Sequence, residues 1–327
     1  MKAIKTYLCL SLFMVVNFTF AQYTEVINSN RPGVSKSAFS VGTNVAQLEV
    51  GPYYVKEEHS RLKYDVSGLG VDFSARYGLL FEQLEINVEG IFQRDQFTDN
   101  RSTISQETTR SNFRHLTVGA KYLVYDPYKN ADDKPNLYSY HDNFRFKWKS
   151  LIPAVAIYAG ANFDTMNNPY TDFGIEGFSP KIMLATQNNF NGGWVLVTNL
   201  IKDRIGTDQS DFSWIITLTH SFSPQWVVFA ETQNIVSDFY ADNLFRFGGA
   251  YLWTRDFQID TAVTFNTKDT PSVFGANIGF SYRFDFHKDK DIDNGNSVEE
   301  EKARRTRAKN GKRKNTDFDD GDDGLLD

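Results

Sequence analysis

Residues 193–286 contain six consecutive segments of about ten residues in which apolar and polar side chains alternate. A period of two places the apolar residues on one face of an extended strand. The apolar faces of the first two segments are Trp194, Leu196, Thr198 and Leu200, followed by Phe212, Trp214, Ile216 and Leu218. Because no helical pattern separates the segments, this stretch predicts an antiparallel, all-β structure.

The connections between these six segments alternate in length. Residues 223–225 and 254–256 read as minimal turns, whereas residues 202–211, 237–243 and 267–272 read as longer polar loops. Outer-membrane barrels have short periplasmic turns and longer outer loops, with aromatic residues at both membrane interfaces. Aromatic residues near the predicted strand ends are Trp194, Trp214, Trp226, Tyr251, Trp253 and Tyr282. The pattern therefore predicts half of a transmembrane, up-and-down β-barrel.

The first 21 residues have the features of a secretory signal peptide. Lys2 and Lys5 precede a mostly apolar run, and Ala21 supplies a small residue at the expected cut. Cys9 is the only cysteine of the chain and lies within this signal, so the mature protein has no thiol. The five histidines show no metal-ligand spacing, and no metal or other cofactor is expected. Export and a net charge of −6 argue against nucleic-acid binding.

Four segments are predicted along the chain: the signal at 1–21, a periplasmic arm at 22–44, the barrel at 45–286 and a charged periplasmic tail at 287–327. The alternating pattern predicts six more strands upstream, near residues 45–57, 69–77, 84–92, 116–124, 151–163 and 178–187. The total of about twelve is even, which places both termini in the periplasm. A polar loop is expected at 95–112, and an insertion at 126–144 departs from the short-turn rule.

Particular residues carry a resemblance to a known family. They are the arm sequence Asn30-Arg31-Pro32-Gly33, then Ser37-Ala38-Phe39-Ser40, Val41-Gly42 and Gln47-Leu48-Glu49, and the last strand Gly279-Phe280-Ser281-Tyr282-Arg283-Phe284. These residues resemble the outer-membrane proteins grouped as the MetA-pathway phenol-degradation family. The family's Bacteroidota form is resembled by Pro153-Ala154-Val155-Ala156 and Ser237-Asp238-Phe239-Tyr240-Ala241-Asp242. Members often have an acidic residue where this chain has Asn30. The resemblance implies a transporter-like barrel in the Gram-negative outer membrane and does not itself imply phenol chemistry.

Ten charged residues are expected to face the lumen, because each alternates with an apolar outward residue. They are Glu49, Asp72, Arg76, Glu85, Glu89, Lys121, Glu231, Arg246, Asp260 and Arg283. Acids and bases are mixed, and two interpretations stay open. They line a path for a solute, or they pair across a narrow interior and make it rigid, since unpaired interior charges are costly.

Catalysis is not expected. His220 shares a face with Trp214 and Leu218, and outer-membrane phospholipases use a lipid-facing histidine, but no accompanying serine and asparagine motif is present. A histidine of the interfacial aromatic belt is the better interpretation.

The tail at 287–327 has a basic block followed by an acidic block, a composition typical of disordered segments. The leading hypothesis is a barrel that passes or binds a small solute in contact with outer-membrane lipid. The alternative is a closed structural or assembly subunit that recruits periplasmic proteins or the cell wall through the tail and the 126–144 insertion.

Overall fold

A computed structural model describes residues 26–129, 148–171, 176–238 and 240–286, and it shows a closed barrel of twelve antiparallel strands. The strands are β1 (Val45–His59), β2 (Tyr64–Gly78), β3 (Leu84–Asp99), β4 (Gln106–Tyr125), β5 (Ala154–Asp164), β6 (Gly177–Phe190), β7 (Trp194–Asp203), β8 (Asp211–Ser221), β9 (Trp226–Ser237), β10 (Ala241–Thr254), β11 (Phe257–Asn266) and β12 (Ser272–Asp285). A short 3-10 helix, Trp148–Leu151, precedes β5. The all-β prediction and the count of twelve are confirmed.

The barrel is closed by pairing of its first and last strands. β1 and β12 run antiparallel from the pair Val45 and Asp285 to the pair Glu58 and Ser272. All remaining strand pairs join strands that are consecutive in the sequence, so the order is up-and-down. Closure leaves the sheet without a free edge strand, and the paired backbone groups are satisfied within the sheet. We call the end where β1 begins and β12 ends the terminal end, and the other the loop end.

The two faces of the sheet are opposite in character to those of a water-soluble protein. The outward face exposes large apolar side chains, for example Leu69 at 67%, Ile278 at 54% and Phe247 at 48%. The inward face buries polar and charged residues such as Gln47, Arg76 and Lys121. Alternating side chains with apolar residues outside and polar residues inside are what a barrel in a lipid bilayer requires.

Aromatic side chains pack against one another at the terminal end, both across neighbouring strands and along a single strand. The rings of Trp226 and Tyr251 lie 4.6 Å apart, and those of Tyr282 and Phe284 lie 4.7 Å apart. Such rings favour the headgroup level of a bilayer. No helix in the described part of the chain is long and apolar enough to cross a membrane.

Several strands are longer than the hydrophobic pattern predicts. The loop expected at 95–112 is reduced to 100–105, because Asp95 still pairs with Arg110 and Thr98 with Glu107 in the β3–β4 ladder. The loop expected at 237–243 is likewise reduced to residues 238–240. Beyond the apolar band the outward residues become polar, so the alternation of hydrophobicity ends while the hydrogen-bonded ladder continues.

The fifth strand begins later than expected. The prediction started it at Leu151, but residues up to Leu151 form the 3-10 helix, and β5 starts at Ala154. Pro153 lies between them and has no backbone N–H to donate to the ladder. The predicted signal at 1–21, the insertion beyond residue 129 and the tail at 287–327 lie outside the described residues.

Candidate functional site

The N-terminal arm, whose described residues are 26–44, lies inside the barrel. Backbone or side-chain groups of the arm contact inward-facing residues on opposite walls, from Glu49 on β1 to Glu231 on β9 and Asn199 on β7. Only a segment in the lumen can reach all of these strands. The prediction of an arm in the periplasm is therefore wrong for these residues, because a polar lumen offers partners for their backbone groups.

Arg31 connects the arm to both sides of the β1–β12 seam. Its Nη1 donates to Asp72 Oδ1 on β2, and its Nε donates to Asp260 Oδ1 on β11 at 3.3 Å. The Arg31 side chain is only 7% exposed. The backbone oxygen of Arg31 accepts a bond from Gln258 Nε2 at 3.3 Å.

Glu231 holds the next part of the arm through its carboxylate. Backbone N–H groups of Val34 and Ser35 each donate to Oε2 at 3.1 Å. The Thr217 hydroxyl donates to the same oxygen at 2.8 Å, and Arg246 Nη1 donates to Oε1 at 3.0 Å. A buried carboxylate is thus surrounded by four donors, which offsets the cost of removing its charge from water.

Lys36 lies near the middle of the lumen. Its ammonium group pairs with Glu89 on β3 and lies 4.5 Å from the ring centre of Tyr158. Its backbone N–H donates to Asn199 Oδ1 at 2.6 Å, and its carbonyl accepts from Asn199 Nδ2 at 2.9 Å. The side-chain amide of Asn199 therefore satisfies both backbone groups of Lys36, as a neighbouring strand would in a sheet.

Ala38 and Phe39, which follow Lys36 in the arm, make apolar contacts with the barrel wall. Ala38 packs in a buried cluster on the inner face of β4 to β6, with Phe39 against its border. The cluster on the barrel wall consists of Leu123, Ala154, Ala156, Tyr158, Met183 and Ala185. Lys121 Nζ donates to the carbonyls of Ser37 and Phe39, both at 2.9 Å. The three alanines of this wall leave room for the arm.

Arg76 organises a buried ionic cluster below the arm, toward the terminal end. It donates two bonds to Glu85 at 3.0 Å and one to Glu49 at 3.3 Å, and a fourth to the Asn28 carbonyl at 2.7 Å. Lys121 Nζ lies 3.3 Å from Glu85 Oε1. The cluster is a salt network and a support for the arm at the same time.

The structure brings eight of the ten predicted lumen residues into contact with the arm. These are Glu49, Asp72, Arg76, Glu85, Glu89, Lys121, Glu231 and Asp260. Arg246 reaches the arm only through Glu231. Arg283 lies at the terminal end, where it pairs with Asp256 and Asp285.

Sequence reasoning missed the arm residues Arg31 and Lys36 and several charges farther toward the loop end. Lys181 Nζ lies 3.4 Å from Glu89 and 3.6 Å from Asp203. Lys181 was detectable, since it alternates with the outward Ile182 on β6. The arm had no such signal, because an irregular segment carries no periodicity.

A second polar layer lies in the lumen toward the loop end. Arg110 donates to Asp95 at 2.8 Å and lies over the rings of Phe97 and Tyr170, at 4.8 and 5.1 Å. Tyr170 belongs to the β5–β6 loop and donates to the Gln93 carbonyl at 3.1 Å. Tyr170 of this loop therefore lies against inward-facing residues of β3 and β4.

His220 faces outward and stacks on Trp194, with ring centres 4.1 Å apart. Among the residues that the structure describes, no side chain hydrogen-bonds its buried Nδ1. The contact is that of an aromatic pair at the terminal end of the barrel.

A closed twelve-stranded sheet, apolar outside and charged inside, defines the class: the protein is a transporter-like β-barrel of the outer membrane. The family follows from comparison with family models. Residues 29–284 match the model described as "Putative MetA-pathway of phenol degradation", and the chain belongs to this family.

Comparison with solved structures agrees with the fold. The COG4313 outer membrane channel from Pseudomonas putida F1 is 10% identical and superposes with a TM-score of 0.52, covering 79% of this chain and 100% of that one. The CymD monoaromatic hydrocarbon channel is 9% identical with a TM-score of 0.42, over 75% and 90% of the two chains. The likeness to the first shows the fold alone, and the second is too distant to carry an argument. No curated protein matches the chain.

Proposed function

We propose that this protein passes a small polar solute across the outer membrane, and that the arm is a plug that leaves the lumen to open the path. The observation that carries the proposal is how the arm is held. Residues 28–41 are bound by side chains such as Glu231, Asn199 and Lys121, and not by a backbone ladder. Separate side-chain bonds can be exchanged for water one by one, whereas a ladder strand is lost only cooperatively.

The character of the lumen favours a polar solute. Charged groups such as Arg76, Glu89 and Lys181 are spread over the inner wall. An apolar solute moving past them would remove water from charges without offering hydrogen bonds, which is costly. We infer that the ten charged residues line the path once the arm has left it.

Removal of the plug is the direct test. In planar bilayers, deletion of residues 26–41 should give larger and longer-lived conductance steps than the full-length protein. The open pore should prefer cations, because Arg31 and Lys36 leave while Asp72, Asp260 and Glu89 remain. Arg101→Ala, which changes an exposed ion pair with Asp99 at the loop end, is the matched control and should conduct like the full-length protein.

Heat-modifiable gel mobility would show that the deletion variant is folded. A folded variant without conductance would contradict the channel and favour the closed structural subunit.

We further propose that the terminal end faces the periplasm and that the protein has no catalytic role. An even number of strands puts both chain ends on one side, and the charged tail at 287–327 is unsuited to crossing the membrane. Protease should then cleave the tail only after the outer membrane is permeabilised. Cleavage on intact cells would contradict this orientation.

A further inference from the structure

We propose that Asp72, Gly51, Gly279 and Asp260 form a guanidinium-binding site, which the chain fills with its own Arg31 and which takes a small guanidinium-bearing solute when the arm leaves. We call these four residues the Asp-Gly-Gly-Asp row. Only the departure of the arm rests on the proposed function; the site itself is present in the structure.

The row crosses four adjacent strands at one level of the barrel. Asp72 on β2 is in register with Gly51 on β1, and Gly279 on β12 is in register with Asp260 on β11. The β1–β12 register pairs Val50 with Phe280, which places Gly51 opposite Gly279. Two carboxylates therefore stand on either side of a floor made of two glycines.

The two glycines leave the space that the guanidinium occupies. A Cβ atom on Gly51 would collide with the terminal nitrogens of Arg31, and one on Gly279 would collide with Nε and Nη2 of Arg31 and with Asp260. The guanidinium thus lies against bare backbone across the β1–β12 seam. A flat cation fits such a slot, whereas any residue with a side chain at these two positions would fill it.

The slot offers more acceptors than Arg31 uses. The Asp260 side chain is fully buried, and its Oδ2 has no hydrogen-bond partner among the residues that the structure describes. Two carboxylates face one cation, so the row keeps an excess of negative charge. A free guanidinium has five or six N–H donors around a plane and no side-chain tether, and it can turn to reach both acids.

The test uses the full-length Arg31→Ala protein in detergent, with methylguanidinium at millimolar concentration as the probe. The substitution leaves the arm's contacts with Glu231 and Asn199 in place and empties the slot. Methylguanidinium should bind saturably in calorimetry and should raise the temperature at which heat-modifiable mobility is lost, because a ligand of the folded state stabilises it. Methylammonium at equal concentration should do neither, and the unsubstituted protein should not respond to methylguanidinium.

Second substitutions locate the binding. In the Arg31→Ala background, Asp260→Asn should weaken methylguanidinium binding by at least about tenfold, the loss expected for a charge-assisted bond. Gly279→Ala should block the slot, and Asp65→Asn at the loop end, the matched control, should change nothing. Absence of binding to Arg31→Ala, or equal binding to the unsubstituted protein, would overturn the site.

These measurements need no conductance. A silent pore with intact methylguanidinium binding would overturn only the channel, and a conducting pore without binding would overturn only the site.

Discussion

Arg76 illustrates how single residues keep a charged interior folded. Its side chain is fully buried, yet two carboxylates and a carbonyl accept its bonds. Burial of an ion is costly unless its hydrogen bonds are satisfied, and here each partner is itself held by another group, as Glu85 is by Lys121. The interior charges are therefore interdependent.

Replacing Arg76 should be much more harmful than replacing a surface charge. Arg76→Ala leaves Glu49 and Glu85 buried without their main partner, and we expect a loss of about 3–5 kcal/mol in the free energy of unfolding. Lys56→Ala breaks a half-exposed pair with Glu58 that water already screens, and it should leave the free energy of unfolding almost unchanged. Denaturant titration followed by gel mobility measures both, and a similar loss in the two variants would contradict the buried network.

The strands combine two faces with opposite demands. In β10, Phe247 points outward and is 48% exposed, whereas its neighbour Arg246 points inward to Glu231. The outward face needs apolar side chains only within the bilayer, and the outward residues of β4 are polar toward the loop end. The part of each strand that lies within the bilayer is therefore given by the width of the apolar band, and not by the length of the strand.

Arginine substitutions on the outward face test this assignment. Phe247→Arg or Ile278→Arg should destabilise the barrel by about 2–4 kcal/mol, because each places a charge near the middle of the bilayer. Thr109→Arg on β4, exposed beyond the apolar band, should be tolerated. The comparison requires folding into lipid vesicles, and equal tolerance at all three positions would contradict the proposed depth.

At the scale of the whole molecule, the barrel is complete at Phe286. β12 pairs with β1 through Asp285, and the Phe286 N–H donates to the carbonyl of Asn44 at 3.1 Å. The sheet therefore needs no residue beyond this point to close. The segment from 288 to 327 has few apolar residues.

Deletion of residues 288–327 should leave a folded, heat-modifiable barrel. We propose that the tail binds periplasmic partners through its charge blocks, so the deletion should reduce co-purifying proteins, most clearly at low salt where charges are least screened. Unfolding of the truncated protein would contradict a barrel that ends at Asp285. Unchanged co-purification at every salt concentration would contradict a binding role for the tail.

The alternation of side chains was sufficient to predict the barrel, because a strand in a sheet with two unlike faces must repeat every two residues. It also predicted which charges face inward: Glu85 and Glu231 follow from the outward Ile86 and Ala230. Strand ends were missed at Asp99 and Gln106, since hydrogen bonding continues where the apolar band stops.

The position of the arm and the partners of the interior charges came only from the folded barrel. Arg31 is 41 residues from Asp72 and 229 from Asp260, and nothing local relates them. Gly51 and Gly279 likewise become one floor only because β1 and β12 pair. Periodicity reports the direction of a side chain from its own strand, whereas what that side chain meets depends on the closure of the sheet and on what fills it.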